Sequence, residues 1–226
     1  MRIKNSKSEK LIFGPAVAVD VLIFDVNNGK LNALLIRISK GPYKNKWALP
    51  GGLVRTDETL DEAAKRVLWE KAGIRGIYLE QLYSFGEVKR DVRGRIISIS
   101  YFALVDSAKF QPRTTEYYSD IRWKEAKKLP PMAFDHGKII AFGIERLRNK
   151  IEYTNIAYAL LPKEFTLTEM QKIYEIILGK KLDKRNFRKK LKMLNILEPE
   201  KKMRHGLKSR PAELYRFRKR SLVFTK

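Results

Sequence analysis

Hydrophobic and polar positions along the chain follow two rhythms. Between residues 16 and 39, "AVAVDVLIFDV" and "LNALLIRIS" are strand-like runs, and the Asn-Gly step of "NNGK" between them suits the positive φ angles of a tight hairpin turn. From Leu60 the spacing becomes helical: Leu60, Ala63, Ala64, Val67 and Leu68 share a face, Thr59 and Glu62 form a T-x-x-E capping box, and Gly73 offers a stop, which predicts a helix over 60–72. "IYLEQLYSFGEV" and "IISISYFALVD" return to strand patterning around the charged turn "KRDVRG". Ile139, Ile140, Phe142, Gly143, Leu147 and Ile151 then predict a second helix over 136–151. Strands, helix and more strands make residues 1–155 an α/β sandwich-like domain closed by that linker helix.

Residues 156–226 are patterned differently. Thr166 and Glu169 form another capping box, and Leu167, Met170, Ile173, Tyr174, Ile177 and Leu178 make one stripe that ends at Gly179. After a short turn, Asp183 caps a helix whose buried side is Phe187, Leu191 and Leu194 and whose other side is Arg185, Arg188, Lys189 and Lys192. Two short strand-like ends follow, around a basic loop containing Gly206 and Pro211. Helix, turn, basic helix and basic hairpin are the parts of a winged helix-turn-helix.

Charge sharpens that division. The 226 residues carry 48 Lys plus Arg against 25 Asp plus Glu, a net +23, well beyond what solubility needs. Residues 163–226 alone hold 20 basic and 7 acidic side chains, a net +13, so over half of the excess sits in the second domain. A polyanionic partner is expected, and a face bearing Lys184, Arg185, Asn186, Arg188 and Lys189 has the right chemistry for one. Arg pairs bidentately with guanine and Asn with adenine in a major groove, while Lys201, Lys202, Arg204, Lys208 and Arg210 suit a wing that follows the phosphates. The absence of cysteine and the presence of only two histidines disfavour disulfide frameworks and His or Cys metal cages. The basic start and "LIFGPAVAVDVLIFDV" have the outline of a signal peptide, but Asp20 and Asp25 interrupt it and no apolar run approaches the roughly 20 residues of a membrane span. A cytoplasmic location without membrane attachment is expected.

The segment "GGLVRTDETLDEAAKRVLWEKAGI" carries the most specific signal. Gly52, Glu58, Arg66, Leu68, Glu70, Gly73 and Ile74 fall on the spacing of the Nudix box, which this stretch resembles; Val67 and Lys71 break it. Positions 67, 70 and 71 lie three and four residues apart and so share one helical face. In Nudix hydrolases carboxylates there hold a divalent metal that activates water against a diphosphate. Here that face offers Val67, Glu70 and Lys71, two anions fewer and one cation that repels metal. No catalytic residue, required cofactor or metal ligand is therefore assigned, with Glu58 and Glu70 left as a weak Mg²⁺ pair.

A pocket need not vanish with its catalyst. A nucleoside diphosphate needs cations for its phosphates and an aromatic surface for its base. Arg37, Arg55, Arg66, Arg90 and Arg95 are candidates for the first, Phe85 and Tyr101 for the second, with Glu70 beside them.

Taken together, the damaged box and "AFDHGKII", "LRNKIEYTNIAYALLP", "FTLTEMQ", "LDKRNFRKKL" and "RPAELYRFR" are similar to the Nudix-related transcriptional regulators typified by the NAD-biosynthesis repressors. The resemblance implies a Nudix-like α/β/α sandwich followed by a winged helix-turn-helix, a homodimer on a double-stranded DNA operator, and a small effector, ADP-ribose or a sugar metabolite, that controls DNA binding. The competing expectation is an active Nudix hydrolase of a nucleoside diphosphate derivative with a nucleic-acid-binding C-terminal domain, against which Val67 and Lys71 argue.

Overall fold

Asn28 and Gly29 both take positive φ, 50° and 72°, and close a two-residue turn between strands β1 (Ala16–Asn27) and β2 (Lys30–Ile38). The structure is a computed structural model and describes residues 14–110, 112–113, 118–206 and 209–224, without the side chains of 205, 206, 209 and 210. β1 sits at the centre of a seven-stranded mixed sheet, antiparallel to β2 and parallel to β6 (Ile96–Leu104). β5 (Glu80–Phe85) forms the edge beyond β6, β3 (Trp47–Ala48) and β7 (Tyr118–Glu125) pair with β2, and β4 (Gly51–Leu53) pairs with β1.

Strand alternation splits the core into two layers. Val19, Val21, Ile23 and Leu34 face helix α1 (Leu60–Ala72), against its Ala63, Ala64, Val67 and Leu68. Leu22, Phe24, Leu35 and Phe102 face helix α2 (His136–Tyr153), against Ile139, Ile140, Leu147 and Ile151. Complete burial of each such aliphatic or aromatic side chain stabilises by about 1.5–3 kcal/mol. The expected α1 boundaries hold: Thr59 and Glu62 form the reciprocal capping box, and Gly73 ends the helix at φ 68°. α2 approaches β1 so closely at Gly143 that a Cβ there would lie 2.2 Å from Leu22 Cδ2.

The second domain contains β8 (Phe165–Thr166), α3 (Leu167–Leu178), α4 (Lys184–Leu194), β9 (Leu197–Gly206) and β10 (Ser209–Phe217), with sheet order β8-β10-β9. The expected short strand ends around a loop are in fact two long paired strands, and Pro211 lies within β10. Its missing N–H is tolerated because the register shifts between Ser209 and Ala212. The apolar cluster runs without a break from Leu147 and Ile151 through Ile156 and Leu161 to Met170, Ile177 and Phe187, so one core spans the end of α2 and the helices that follow it.

The chain also returns to that junction. Asn155 donates through Nδ2 to the carbonyls of Lys219 and Ser221, and its Oδ1 accepts from the Val223 amide. Arg220 donates to the carbonyls of Tyr158, Leu161 and Pro162. Among the described residues, no helix is long and apolar enough to cross a membrane.

Candidate effector pocket and nucleic-acid interface

The box helix turns its charges on one another. Arg66 grips Glu58 with both Nε and Nη2, at 2.7 and 2.5 Å, reaches Glu70 through Nη1 at 3.1 Å, and donates to the Leu53 carbonyl at 3.0 Å. Arg55 closes the group, its Nη2 on Glu70 at 3.2 Å and its amide on Glu58 at 2.8 Å. The Arg66 hydrogen bond pulls the Glu58 carboxyl down to about 2. Val67 is fully buried beneath β4, and the Lys71 ammonium lies 5.2 Å from the centre of the Tyr118 ring. A divalent ion here would have to displace a guanidinium from Glu58 or Glu70, and among the described residues no group of three His, Cys, Asp or Glu side chains is placed to hold one. The residues present do not fit the metal site of a Nudix hydrolase.

Beside this helix lies a pocket of about 310 Å³, bounded by β1, β2, β4, the 90–93 loop and the start of α2. Of the eight expected effector residues only Arg90 lines it. Arg37 alternates away from Ile36 and Ile38, which do line it, and its Nε lies 3.4 Å from the Asn45 carbonyl. Arg55, Arg66 and Glu70 are held in their mutual pairs. Arg95 donates to the Gly86 carbonyl at 2.7 Å. Neither expected aromatic reaches the pocket: Phe85, half-buried on the edge strand, packs on Tyr83 and Phe142, and Tyr101, only 3% exposed beneath α1, donates its hydroxyl to Asp61 at 2.6 Å. Tyr118 and Phe134 supply the aromatic surface instead, with Tyr43 braced on Phe134 at 4.2 Å between ring centres.

The pocket floor is a buried charge network. Asp20 of β1 accepts from Ser98 Oγ at 2.5 Å and from Arg90 Nη2 at 3.2 Å, and its other oxygen faces His136 Nε2 at 3.3 Å. The Leu49 amide donates to His136 Nδ1 at 2.9 Å, which leaves Nε2 as the donor toward Asp20. Arg90 also spans to Asp135 at 2.7 and 3.1 Å. Burial pushes the Asp20 carboxyl up, but His136, Ser98 and Arg90 outweigh it and hold it at about 2. Gly51 is required beside it, since a Cβ there would stand 2.1 Å from Asp20 Oδ1. Asp20, Arg93, Tyr118, Phe134 and His136 were all missed as site residues. The available signal was Asp20, an acid in the middle of a buried strand, where an ionised side chain is expensive unless paired.

In the second domain, Lys184, Arg185, Asn186, Arg188 and Lys189 all project from α4 into solvent, opposite buried Phe187 and Leu191. Asp183 caps the helix by accepting from the Asn186 amide at 2.8 Å, and Phe187 packs edge-on to Tyr174 of α3 at 5.1 Å. The expected wing contacts divide. Lys201 is exposed, whereas Lys202 pairs with Glu164 at 2.8 Å and Arg204 pairs with Glu169 and donates to the Glu164 carbonyl, so these two brace the wing against the start of α3. Lys208 and the side chain of Arg210 lie outside the described residues.

A mixed sheet between two helices, with the box helix at its pocket and a basic helix-turn-helix with a wing behind it, defines a Nudix domain joined to a winged-helix domain. Residues 14–142 match the NUDIX domain family and residues 157–217 match the NrtR DNA-binding winged helix domain family. The "ADPR responsive transcriptional repressor NtrR" of Acinetobacter baylyi is 42% identical over 207 residues, 90% of this chain and 82% of that protein. NrtR of Shewanella oneidensis, solved with a 27mer DNA, superposes with a TM-score of 0.78 at 32% identity over 89% of this chain and 93% of that one. Its separate Nudix domain, solved with ADP ribose, gives a TM-score of 0.56 at 31% identity over 63% and 94%. The "ADP-ribose pyrophosphatase" of Methanocaldococcus jannaschii is 34% identical over 137 residues, 61% of this chain and 78% of that protein. This chain belongs to the NrtR family, in which a Nudix domain precedes a DNA-binding winged helix.

Proposed function

We propose that this protein is an ADP-ribose-responsive transcriptional repressor whose Nudix domain binds its ligand without cleaving it. The observation that carries the reading is the pairing of an intact pocket with a box helix that has lost two of its carboxylate positions, Val67 being buried and Lys71 cationic, in a chain whose α4 displays basic side chains that, among the described residues, enter no ion pair. Arg93 and Lys40 face the ligand phosphates above Arg90, which Asp20 and Asp135 hold in the pocket floor, and Tyr118 or Phe134 stacks on the adenine. Binding requires no metal and no other cofactor, and the diphosphate stays whole because no water is activated beside it.

Transmission uses α2. It begins at the pocket with His136, and Arg148 farther along donates through Nε to the Ile177 carbonyl at the end of α3, 3.2 Å away. Two copies of the chain place their α4 helices in successive half-sites of a two-fold operator. Ligand favours the arrangement in which the two helices no longer match that spacing, a population shift that needs only differential affinity for the two states.

The test is a gel-shift with duplex DNA from upstream of the protein's own operon at moderate salt. A specific shift that ADP-ribose abolishes is expected; no specific shift overturns the reading. Turnover is measured separately with ADP-ribose and Mg²⁺ or Mn²⁺. The similarity to an ADP-ribose pyrophosphatase favours hydrolysis as the second reading, and robust formation of AMP would establish it in place of the first.

A further inference from the structure

A second cavity, about 530 Å³, lies between the domains. The sensor contributes the β1–β2 turn with Lys30 and the end of β7 with Glu125 and Lys127; the winged helix contributes Lys172, Glu175 and Lys180 from α3 and the turn behind it. Both acids are already neutralised, Glu125 by Lys30 at 2.8 Å and Glu175 by Lys181 at 3.2 Å. Glu175 is occupied further by the Leu182 amide and Gln171. The lining holds five lysines against these two carboxylates; Lys127 shares the field of Glu125 with Lys30, and among the described residues Lys172 and Lys180 enter no ion pair, so cations from both domains outnumber the acids of one cleft.

The lining also says what the cleft does not recognise. It presents no aromatic ring to stack on a base and no hydroxyl or amide side chain to bind a ribose. Cations alone suffice for a phosphodiester backbone. The cleft is also continuous with the DNA-facing surface: Lys180 stands four residues before Lys184 at the start of α4, at most about 14 Å of extended chain. That is about four base-pair steps of 3.4 Å along the duplex.

We infer that this interdomain cleft holds the backbone of operator DNA flanking the half-site read by α4, so that the Nudix domain itself contacts DNA through Lys127. The inference rests on the DNA-binding reading above and extends it. Because the cations belong to both domains, a ligand-driven change in the angle between them separates the phosphate contacts in the cleft while α4 is withdrawn from the groove.

The experiment is the salt dependence of operator affinity for the full chain. Each phosphate contact contributes about 0.9 to the slope of log K against log salt. Lys127→Gln is expected to lower the slope by about 1, and Lys127→Gln/Lys172→Gln/Lys180→Gln by about 2 to 3, equally on operator and on unrelated duplex. ADP-ribose affinity and the unfolding midpoint are expected to stay unchanged. Wild-type protein on a duplex trimmed to the half-sites tests the same contact without a substitution, and a slope reduced by a similar amount is expected. Unchanged slopes for the variants and for the trimmed duplex overturn the inference. So does a loss of inorganic triphosphate binding with operator affinity intact, which would make the cleft a site for a free polyphosphate. Failure of the wild-type protein to bind any operator would instead remove the regulator reading itself.

Discussion

The floor of the Nudix pocket and the outer face of α4 use charge in opposite ways. Around Asp20, Arg90, Asp135 and His136 every charged group is buried and paired, with Arg90 shared between two carboxylates. On α4 the basic side chains are exposed and opposed by no neighbouring acid on the helix. Buried charge that is fully satisfied holds a pocket in one shape, and removing a single member leaves the others stranded. Exposed unpaired charge adds nothing to folding and stays available to a partner that releases counterions on binding. The same residue type, arginine, is therefore a structural pin at position 90 and a solvent-facing cation at position 185.

The comparison breaks most visibly at Arg90. Arg90→Ala leaves Asp20 and Asp135 without their shared cation and is expected to destabilise the fold by about 3–5 kcal/mol in urea titration; a loss below about 1 kcal/mol would mean the network is not a pin. Arg185→Ala is expected to leave that titration unchanged while weakening operator binding by about 1–3 kcal/mol, read by fluorescence anisotropy against a base-substituted operator.

Acid sharpens the interior side. The Asp20 carboxyl titrates at about 2 in the folded chain against an ordinary value of 3.8. Its contribution, about 2 kcal/mol, is complete above pH of about 4 and is lost as pH falls toward about 2, because the unfolded chain takes up the proton first. Asp20→Asn should flatten that part of the stability profile; an unchanged slope would place the acid sensitivity elsewhere. The smallest effect is expected in the wing. Arg204→Ala should change stability by under about 1 kcal/mol and leave the salt slope of DNA binding as it is, because Glu169 already neutralises Arg204, whereas Lys201→Ala should lower the slope by about 1.

What could be read from sequence was what local chemistry decides. The T-x-x-E boxes at Thr59 and Thr166, the terminal glycines 73 and 179, the Asn-Gly hairpin and the 3.6-residue stripes set helices and turns with near neighbours, and they stand where the patterning placed them. The short strands β3 and β4 carry too few residues to show a period, and the wing strands run longer than the patterning predicts because a register shift accommodates Pro211 within β10. The pocket was hardest to see. Its walls come from β1, β2, β4, the 90–93 loop and α2, more than a hundred residues apart, and membership depends on which side of a strand each residue faces. Tyr101 and Arg37 fall on the wrong side; Asp20 falls on the right one and announced itself only as a misplaced charge. The exposed face of α4 was legible because a single helix builds it.

The tight contact at Gly143 has a mechanical meaning for α2. At about 1.5 Å per residue, His136 lies about 10 Å to one side of it and Arg148 about 8 Å to the other. With Gly143 as fulcrum against Leu22, any tilt of the helix moves these two residues in opposite senses, Arg148 by the smaller amount. An ångström of movement at the pocket then becomes about 0.7 Å at Arg148, comparable to the margin between a good hydrogen bond to Ile177 and a lost one. A methyl group added at position 143 would meet Leu22, Phe24 and Leu82 and shift the pivot itself.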